Sequence, residues 1–134
     1  MVQKSTTLFA LAALALLAGC SSGTDNRFAP TVTVTGHVTL DGKPIPEGEI
    51  QFTSDEDRRN GSEASVFIKQ GQYTAQVTNG TKQVRIYAHK AVGAADATGS
   101  QSQVQWIPAK YNSRSELEAV VSDEPATLDF ELTK

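Results

Sequence analysis

Residues 31–40 carry the most regular alternation of apolar and polar side chains in the chain. Val32, Val34, Gly36, Val38 and Leu40 fall on one face of an extended segment, and threonines occupy most positions on the other. A period of two built from β-branched residues is typical of a half-buried β-strand. We therefore expect a strand here, with its valines turned towards a core.

The same alternation recurs in six further short segments. Their expected inward residues are Ile50 and Phe52; Ala64, Val66 and Ile68; Tyr73, Ala75 and Val77; Val84, Ile86 and Ala88; Leu117, Ala119 and Val121; and Leu128, Phe130 and Leu132. Turn dipeptides lie between several of them, namely Asp41-Gly42, Asn60-Gly61, Gln70-Gly71 and Asn79-Gly80. Seven short strands without a segment of helical period predict an all-β, seven-stranded antiparallel sandwich.

One segment departs from this spacing. Residues 91–112 form a run that is longer than most loops of compact domains. Within it, residues 104–107 are apolar at alternate positions, so we expect an extra edge strand there.

The N-terminus has a different pattern. Residues 8–18 are an unbroken apolar run behind Lys4, too short to span a bilayer but typical of a signal peptide. The residues that close it, Leu17-Ala18-Gly19-Cys20, resemble the lipobox of bacterial lipoproteins. This resemblance implies that residues 1–19 are removed and that Cys20 carries a diacylglycerol and an N-terminal acyl chain. The alternatives are a plain signal peptide with an unmodified cysteine or a buried N-terminal helix.

The rest of the chain divides into two parts. Residues 20–29 are polar, which predicts a lipidated flexible tether with a span of about 17 Å. Residues 30–134 suffice for one core. We expect a single domain held at a membrane of the bacterial cell envelope, on the periplasmic or outer side, through the lipid on Cys20.

Charge and cysteine usage exclude several classes of protein. Loss of Lys4 with the signal peptide leaves 11 of the 12 basic side chains against 15 acidic ones, a formal charge of −4. Such a surface does not favour nucleic acid. Cys20 is the only cysteine, so its acylation leaves no thiol for a disulfide, a redox pair or a metal site.

The chain offers little for catalysis. His37 and His89 are expected on the polar faces of two strands, and no Gly-x-Ser-x-Gly elbow places a nucleophile beside a base. We therefore predict a protein that is not an enzyme and holds no cofactor and no zinc. The acidic run Asp55-Glu56-Asp57 lacks the glycine and ligand spacing of a calcium loop, which favours a solvated hairpin loop.

Residues 34–48, Val-Thr-Gly-His-Val-Thr-Leu-Asp-Gly-Lys-Pro-Ile-Pro-Glu-Gly, resemble the start of a carboxypeptidase regulatory-like domain. Residues 71–74, 84–86 and 107–112 extend the likeness over most of the domain. The resemblance implies a transthyretin-like Greek-key sandwich of the kind found in small bacterial lipoproteins. Its motifs are mainly turn and strand chemistry, so they predict fold better than function.

Trp106 and Tyr111 are the one candidate binding pair, because two aromatic rings on a protruding loop could stack a sugar or grip a partner. The other interpretation is that Trp106 and Ile107 seal the edge of the sandwich, and that Lys110 or Tyr111 fixes the crossover. Three functions remain open for the domain: a protein-binding or structural module for an envelope protein, a glycan- or cell-wall-binding module using Trp106 and Tyr111, and an accessory domain for an envelope hydrolase.

Overall fold

The valine and threonine alternation forms strand β1 (Thr31–Leu40) in the computed structural model, which describes residues 29–134. The lipobox, Cys20 and nearly all of the predicted tether lie outside the described residues. The elements after β1 are β2 (Lys43–Pro44), β3 (Glu47–Thr53), α1 (Asp55–Asn60), β4 (Ala64–Lys69), β5 (Gln72–Thr78), β6 (Gly80–Tyr87), β7 (His89–Val92), β8 (Ser102–Gln105), a 3-10 helix (Ala109–Tyr111), β9 (Glu118–Val121), β10 (Ala126–Thr127) and β11 (Phe130–Leu132).

The main strands form two antiparallel groups. In one group β3 lies between β4 and β6, and β6 also pairs with β9. In the other, β1 pairs with β5 from Thr31 to His37. The groups are joined where Lys69 of β4 pairs with Gln72 of β5, the only residue pair that these two strands share. Beyond that pair the two strands separate, and the sheet divides into two layers.

The two layers face each other across one apolar core. The ring of Phe52 in β3 lies 5.8 Å from that of Tyr73 in β5 and 6.4 Å from that of Phe130 in β11, measured between centroids. Because β3 is not hydrogen-bonded to β5 or β11, these contacts cross from one layer to the other. The chain is therefore an all-β sandwich, and most of the predicted inward residues are buried in its core, together with Ile45 and Ile107. Five predicted inward residues are only partly buried, namely Val32, Val66, Leu117, Leu128 and Phe130.

Two of the four predicted turns are tight hairpins. Asp41 and Gly42 both have positive φ, and so do Gln70 and Gly71, as the two-residue type I′ turn requires. The other two dipeptides also lie at connections between strands, but neither forms a tight hairpin. Asn60-Gly61 ends helix α1, with Gly61 in the left-handed conformation. Asn79-Gly80 joins β5 to β6, which lie in different layers and do not pair.

Helix α1 replaces the solvated hairpin loop expected at residues 55–57. The Ser54 side chain accepts a hydrogen bond from the backbone N–H of Asp57, and the acidic residues occupy the first turn, where they favour the helix dipole. The helix has no apolar stripe because its one buried residue is Asp57. Its capping signals were present in the sequence, but hydrophobic periodicity could not reveal them.

The long segment forms a second, separate hairpin. β8 covers part of the strand expected at residues 104–107, but it pairs with β7 rather than with an edge of the sandwich. The chain then returns to the core, where Ile107 is buried. None of the helices in residues 29–134 is both long and apolar enough to cross a membrane.

The C-terminal strands β10 and β11 run parallel to β1, whereas the other pairs are antiparallel. Between them the backbone passes so close to Gly36 that a Cβ added there would lie 1.8 Å from the carbonyl oxygen of Leu128. That oxygen accepts a hydrogen bond of 2.6 Å from the Tyr73 hydroxyl. The Asp129 side chain accepts another from the backbone N–H of His37, at 2.7 Å. Glycine is thus required where β1 meets the C-terminal segment.

Candidate functional site

Trp106 and Tyr111 have different surroundings. Trp106 is half-buried against the core, and its backbone N–H donates to the carbonyl oxygen of Ala88. Tyr111 ends the 3-10 helix, and its hydroxyl accepts a hydrogen bond of 3.0 Å from the backbone N–H of Thr133. Hydrogen bonds from Thr133 and the neighbouring Lys110 lower the pKa of the Tyr111 hydroxyl. Tyr111 is therefore hydrogen-bonded to the C-terminal segment at Thr133.

A different pair of aromatic residues lies on the outer face of the layer that contains β3. In the strand register Glu49 of β3 pairs with Phe67 of β4 on one side and with Tyr87 of β6 on the other. These three residues alternate with buried neighbours in their strands, so their side chains point outwards. The Phe67 side chain is 74% exposed. The arrangement is a row of two aromatic rings with a carboxylate between them.

The carboxylate of Glu49 is held in place by its neighbours. Its Oε1 atom accepts hydrogen bonds from the Ser65 hydroxyl and, at 2.7 Å, from Nε2 of Gln51. Among residues 29–134, no hydrogen bond ends on Oε2. The bonds from Ser65 and Gln51, with a smaller contribution from the charge of His89, lower the pKa of Glu49. The group is therefore an ionised acceptor at neutral pH, with one oxygen available to a ligand.

Three neighbouring depressions lie around this row. The central one, of about 270 Å³, is lined by Glu49, Phe67, Tyr87 and His89, among others. Phe67 also lines a second depression of about 570 Å³. His89 also lines a third, of about 630 Å³, together with Trp106. We call these three neighbouring depressions, from Phe67 through Tyr87 and His89 to Trp106, the outer-face groove.

The groove has balanced charge. Glu47 and Glu49 supply two negative groups, and Lys69 and Lys90 supply two positive ones. His89 is exposed between the two glutamates and Trp106. Much of the remaining polar lining consists of hydroxyl and amide side chains, namely Thr35, Gln70, Gln72, Thr74 and Thr127. The groove can therefore offer hydrogen bonds and aromatic surface without a strong field of either sign.

A second polar feature, a buried ion pair, was not predicted from the sequence. Nζ of Lys82 in β6 lies 2.5 Å from Oδ2 of Asp57 in α1, and both side chains are almost fully buried. Lys82 also donates to Thr78, whose hydroxyl donates to Asp57. Lys82 lies two positions before Val84 and four before Ile86, both of which point inwards, so Lys82 is on the inward face as well. This alternation is the sequence signal that could have indicated a buried lysine.

The buried pair is a structural element. Burial by itself would raise the pKa of Asp57, but hydrogen bonds from Lys82, Thr78, Ser54 and Ser62 outweigh that effect and lower it to about 2. Asp57 thus stays ionised beside the ammonium group. Together the two residues tie helix α1 to β6, which is a role in stability.

The histidines lie apart from this pair. His37 is exposed, with Nδ1 at 3.4 Å from the carboxylate of Asp129. His89 begins β7 and lines the groove. Across residues 29–134, no group of three or more His, Cys, Asp or Glu side chains is placed to hold a metal ion.

Comparison with known proteins identifies no family. No family model and no curated protein matches the chain. Among solved structures, a DUF3823 family protein from Parabacteroides merdae is 17% identical with a TM-score of 0.42, and the match covers 78% of this chain and 46% of that one. A 9R-lipoxygenase from Cyanothece is 10% identical with a TM-score of 0.40, covering 78% of this chain and 16% of the enzyme. Likeness at this level identifies no activity.

Proposed function

We propose that this protein is a lipid-anchored, non-catalytic binding module of the bacterial cell envelope. The observation that carries the binding role is the outer-face groove, in which Phe67, Tyr87 and Trp106 line neighbouring depressions. Exposed aromatic surface of this kind is typical of a contact site, since covering it with a ligand is favourable. The ionised Glu49 between the rings supplies a fixed acceptor.

The anchor is proposed from residues 17–20. The order Leu17-Ala18-Gly19-Cys20 after a short apolar run supports lipidation of Cys20 and removal of residues 1–19. Two or three acyl chains attach a protein stably, because each buried methylene contributes about 0.8 kcal/mol. The polar residues after Cys20 would keep the domain close to the headgroups.

We also propose that the domain is carboxypeptidase regulatory-like, with a seven-stranded Greek-key core. Support comes from the motif at residues 34–48 and from the type I′ turns at Asp41-Gly42 and Gln70-Gly71. The seven core strands would be β1, β3, β4, β5, β6, β9 and the C-terminal strand formed by β10 and β11.

The anchor is tested by palmitate labelling and membrane fractionation in cells. We expect the wild type to incorporate label and to sediment with membranes, and Cys20→Ala to do neither. Ser21→Ala is the matched control and should behave as the wild type. Equal labelling of Cys20→Ala and the wild type would contradict the lipid anchor.

Binding through the groove is tested by placing a photo-crosslinking amino acid at position 67 of the anchored protein. Position 120 is the control, because Val120 is 72% exposed at the β9 edge of the same layer and does not line the groove. We expect a discrete crosslinked species from position 67 and none from position 120. The same yield at both positions would contradict a role for the groove.

A further inference from the structure

We infer that the outer-face groove binds an uncharged oligosaccharide chain. This inference rests on the proposed binding function, since it names the ligand of the same groove. The aromatic residues that we assign to this site are Phe67, Tyr87 and Trp106. Tyr111 is left out because its hydroxyl is hydrogen-bonded to the backbone of Thr133.

The aromatic rings of the groove are spaced for a chain of sugars. Phe67 and Tyr87 lie in strands on either side of β3, so their positions are about 10 Å apart across the sheet. An exposed Phe ring and a half-buried Tyr ring offer apolar faces with little conformational entropy to lose. The apolar faces of pyranose rings pack against surfaces of this kind.

Hydrogen-bonding groups lie between the rings. Oε2 of Glu49 is an acceptor that no group in the described part of the chain uses, and its ionised state strengthens a bond from a hydroxyl donor. Lys69 and His89, which line the same depression, can donate to ring or hydroxyl oxygens. A sugar presents donors and acceptors together with an apolar face, and the row Phe67, Glu49 and Tyr87 matches all three.

The groove is longer than one sugar unit. Phe67 belongs to the central and second depressions, and His89 to the central and third, so the three depressions are neighbours from β1 and β5 to Trp106. A monosaccharide would occupy only the central part, of about 270 Å³. Neighbouring depressions on both sides of the central one therefore favour a chain of several sugar units.

The central part of the groove favours a glycan over an added peptide strand. Its floor is β3, whose backbone is hydrogen-bonded to β4 on one side and to β6 on the other, so β3 offers no free backbone edge. The unpaired edges of β4 and β5 lie at the second depression instead, because these strands pair only at Lys69 and Gln72. The balance of Glu47 and Glu49 against Lys69 and Lys90 selects neither a strongly basic nor a strongly acidic ligand. An uncharged glycan fits both features of the central part.

The test uses the fluorescence of Trp106, the only tryptophan of the chain. The full chain in detergent micelles is titrated with chitohexaose, cellohexaose and maltohexaose. We expect a saturable change with at least one of them. Phe67→Ala and Tyr87→Ala should each weaken that binding about tenfold, which corresponds to about 1.4 kcal/mol. Val120→Ala, the matched control at the β9 edge, should bind as the wild type does.

Two results overturn the inference. Absence of a saturable response to all three hexasaccharides would exclude the proposed ligand class. Binding that Phe67→Ala and Tyr87→Ala leave unchanged would exclude the site, provided that circular dichroism shows both variants folded. If no sugar binds but the crosslinker at position 67 captures a protein, the saccharide fails and the binding function stands. If no sugar binds and the crosslinker at position 67 captures nothing, the proposed binding function fails as well.

Discussion

At the scale of single residues, the most consequential contact is the ion pair between Asp57 and Lys82. Both side chains are buried, and Thr78, Ser54 and Ser62 complete their hydrogen bonds. A buried ion pair of this kind adds little to the free energy of unfolding compared with a pair of apolar residues in its place. The loss of one partner alone is costly, because it leaves a buried charge without compensation. The pair should therefore be far more sensitive to single than to double substitution.

We expect Lys82→Met to lower the free energy of unfolding by about 3–5 kcal/mol, because it leaves the Asp57 carboxylate buried without its cation. Asp57→Asn should act in the same direction. The double variant should lose less than the sum of the two, with a coupling of about 1–3 kcal/mol. Urea denaturation of the four proteins measures this cycle, and additive losses would show that the pair is not coupled.

Acid should remove part of the stability through the same carboxylate. The pKa of Asp57 is about 2 in the folded protein against an ordinary value of 3.8, so the folded state favours the ionised form. The stabilisation is complete above pH 3.8 and is lost as the pH falls towards 2, by about 2 kcal/mol in all. Unfolding measured from pH 6 to pH 2 should show this loss in the wild type. The reference is Asp57→Asn/Lys82→Met, and an equal loss there would assign the effect to other carboxylates.

At the scale of the elements, the contact between β1 and the C-terminal segment depends on one glycine. The Leu128 carbonyl lies where a side chain at position 36 would begin, and Tyr73 donates its hydroxyl to that carbonyl from β5. Three segments are thus fixed at one point. Nothing within any one of these segments brings it to the other two, so the contact forms only when the sheet assembles.

Gly36→Ala should destabilise the protein by about 2–3 kcal/mol or more, because the new methyl group would overlap the Leu128 carbonyl oxygen. Thr39→Ala, on the opposite face of the same strand, is the control and should cost no more than about 1 kcal/mol of strand propensity. Thermal unfolding of both variants measures the difference. Equal transition temperatures would mean that the backbone moves aside without cost.

At the scale of the whole molecule, the layer formed by β3, β4, β6 and β9 has two faces with separate roles. Its inner face carries Phe52, which is fully buried against Tyr73 and Phe130 of the other layer. Its outer face carries Phe67 in the neighbouring strand, which is 74% exposed. The same residue type is therefore part of the core on one face and exposed to solvent on the other.

Phe52→Ala should lower the free energy of unfolding by about 3–5 kcal/mol, since it leaves a cavity between the layers. Phe67→Ala should change it by less than about 0.5 kcal/mol, since the ring is exposed. Chemical denaturation of the two variants provides the comparison. A large loss of stability in Phe67→Ala would mean that the outer ring is a packing residue and would remove its availability for a ligand.

The sequence by itself determined most strands of the sandwich and most of its inward residues. Burial of one face imposes a period of two on side chains only a few positions apart, so Val34, Ile50 and Ile86 could each be assigned locally. The same holds for the hairpins at Asp41-Gly42 and Gln70-Gly71, whose turn conformation is a property of two residues. Periodicity could not predict helix α1, because the helix has caps but no apolar stripe.

Only the tertiary structure decided which strands are neighbours and in what register. That choice places Phe67, Glu49 and Tyr87 in one row, brings Lys82 to Asp57 across 25 positions, and sets β10 and β11 parallel to β1. The neighbours of Phe67 in the sequence suffice to assign it to an outer face. They do not reveal that Glu49 is its partner in the next strand. Pairing is a contact between distant parts of the chain, settled by the free energy of the whole sheet and its core, and no local pattern encodes it.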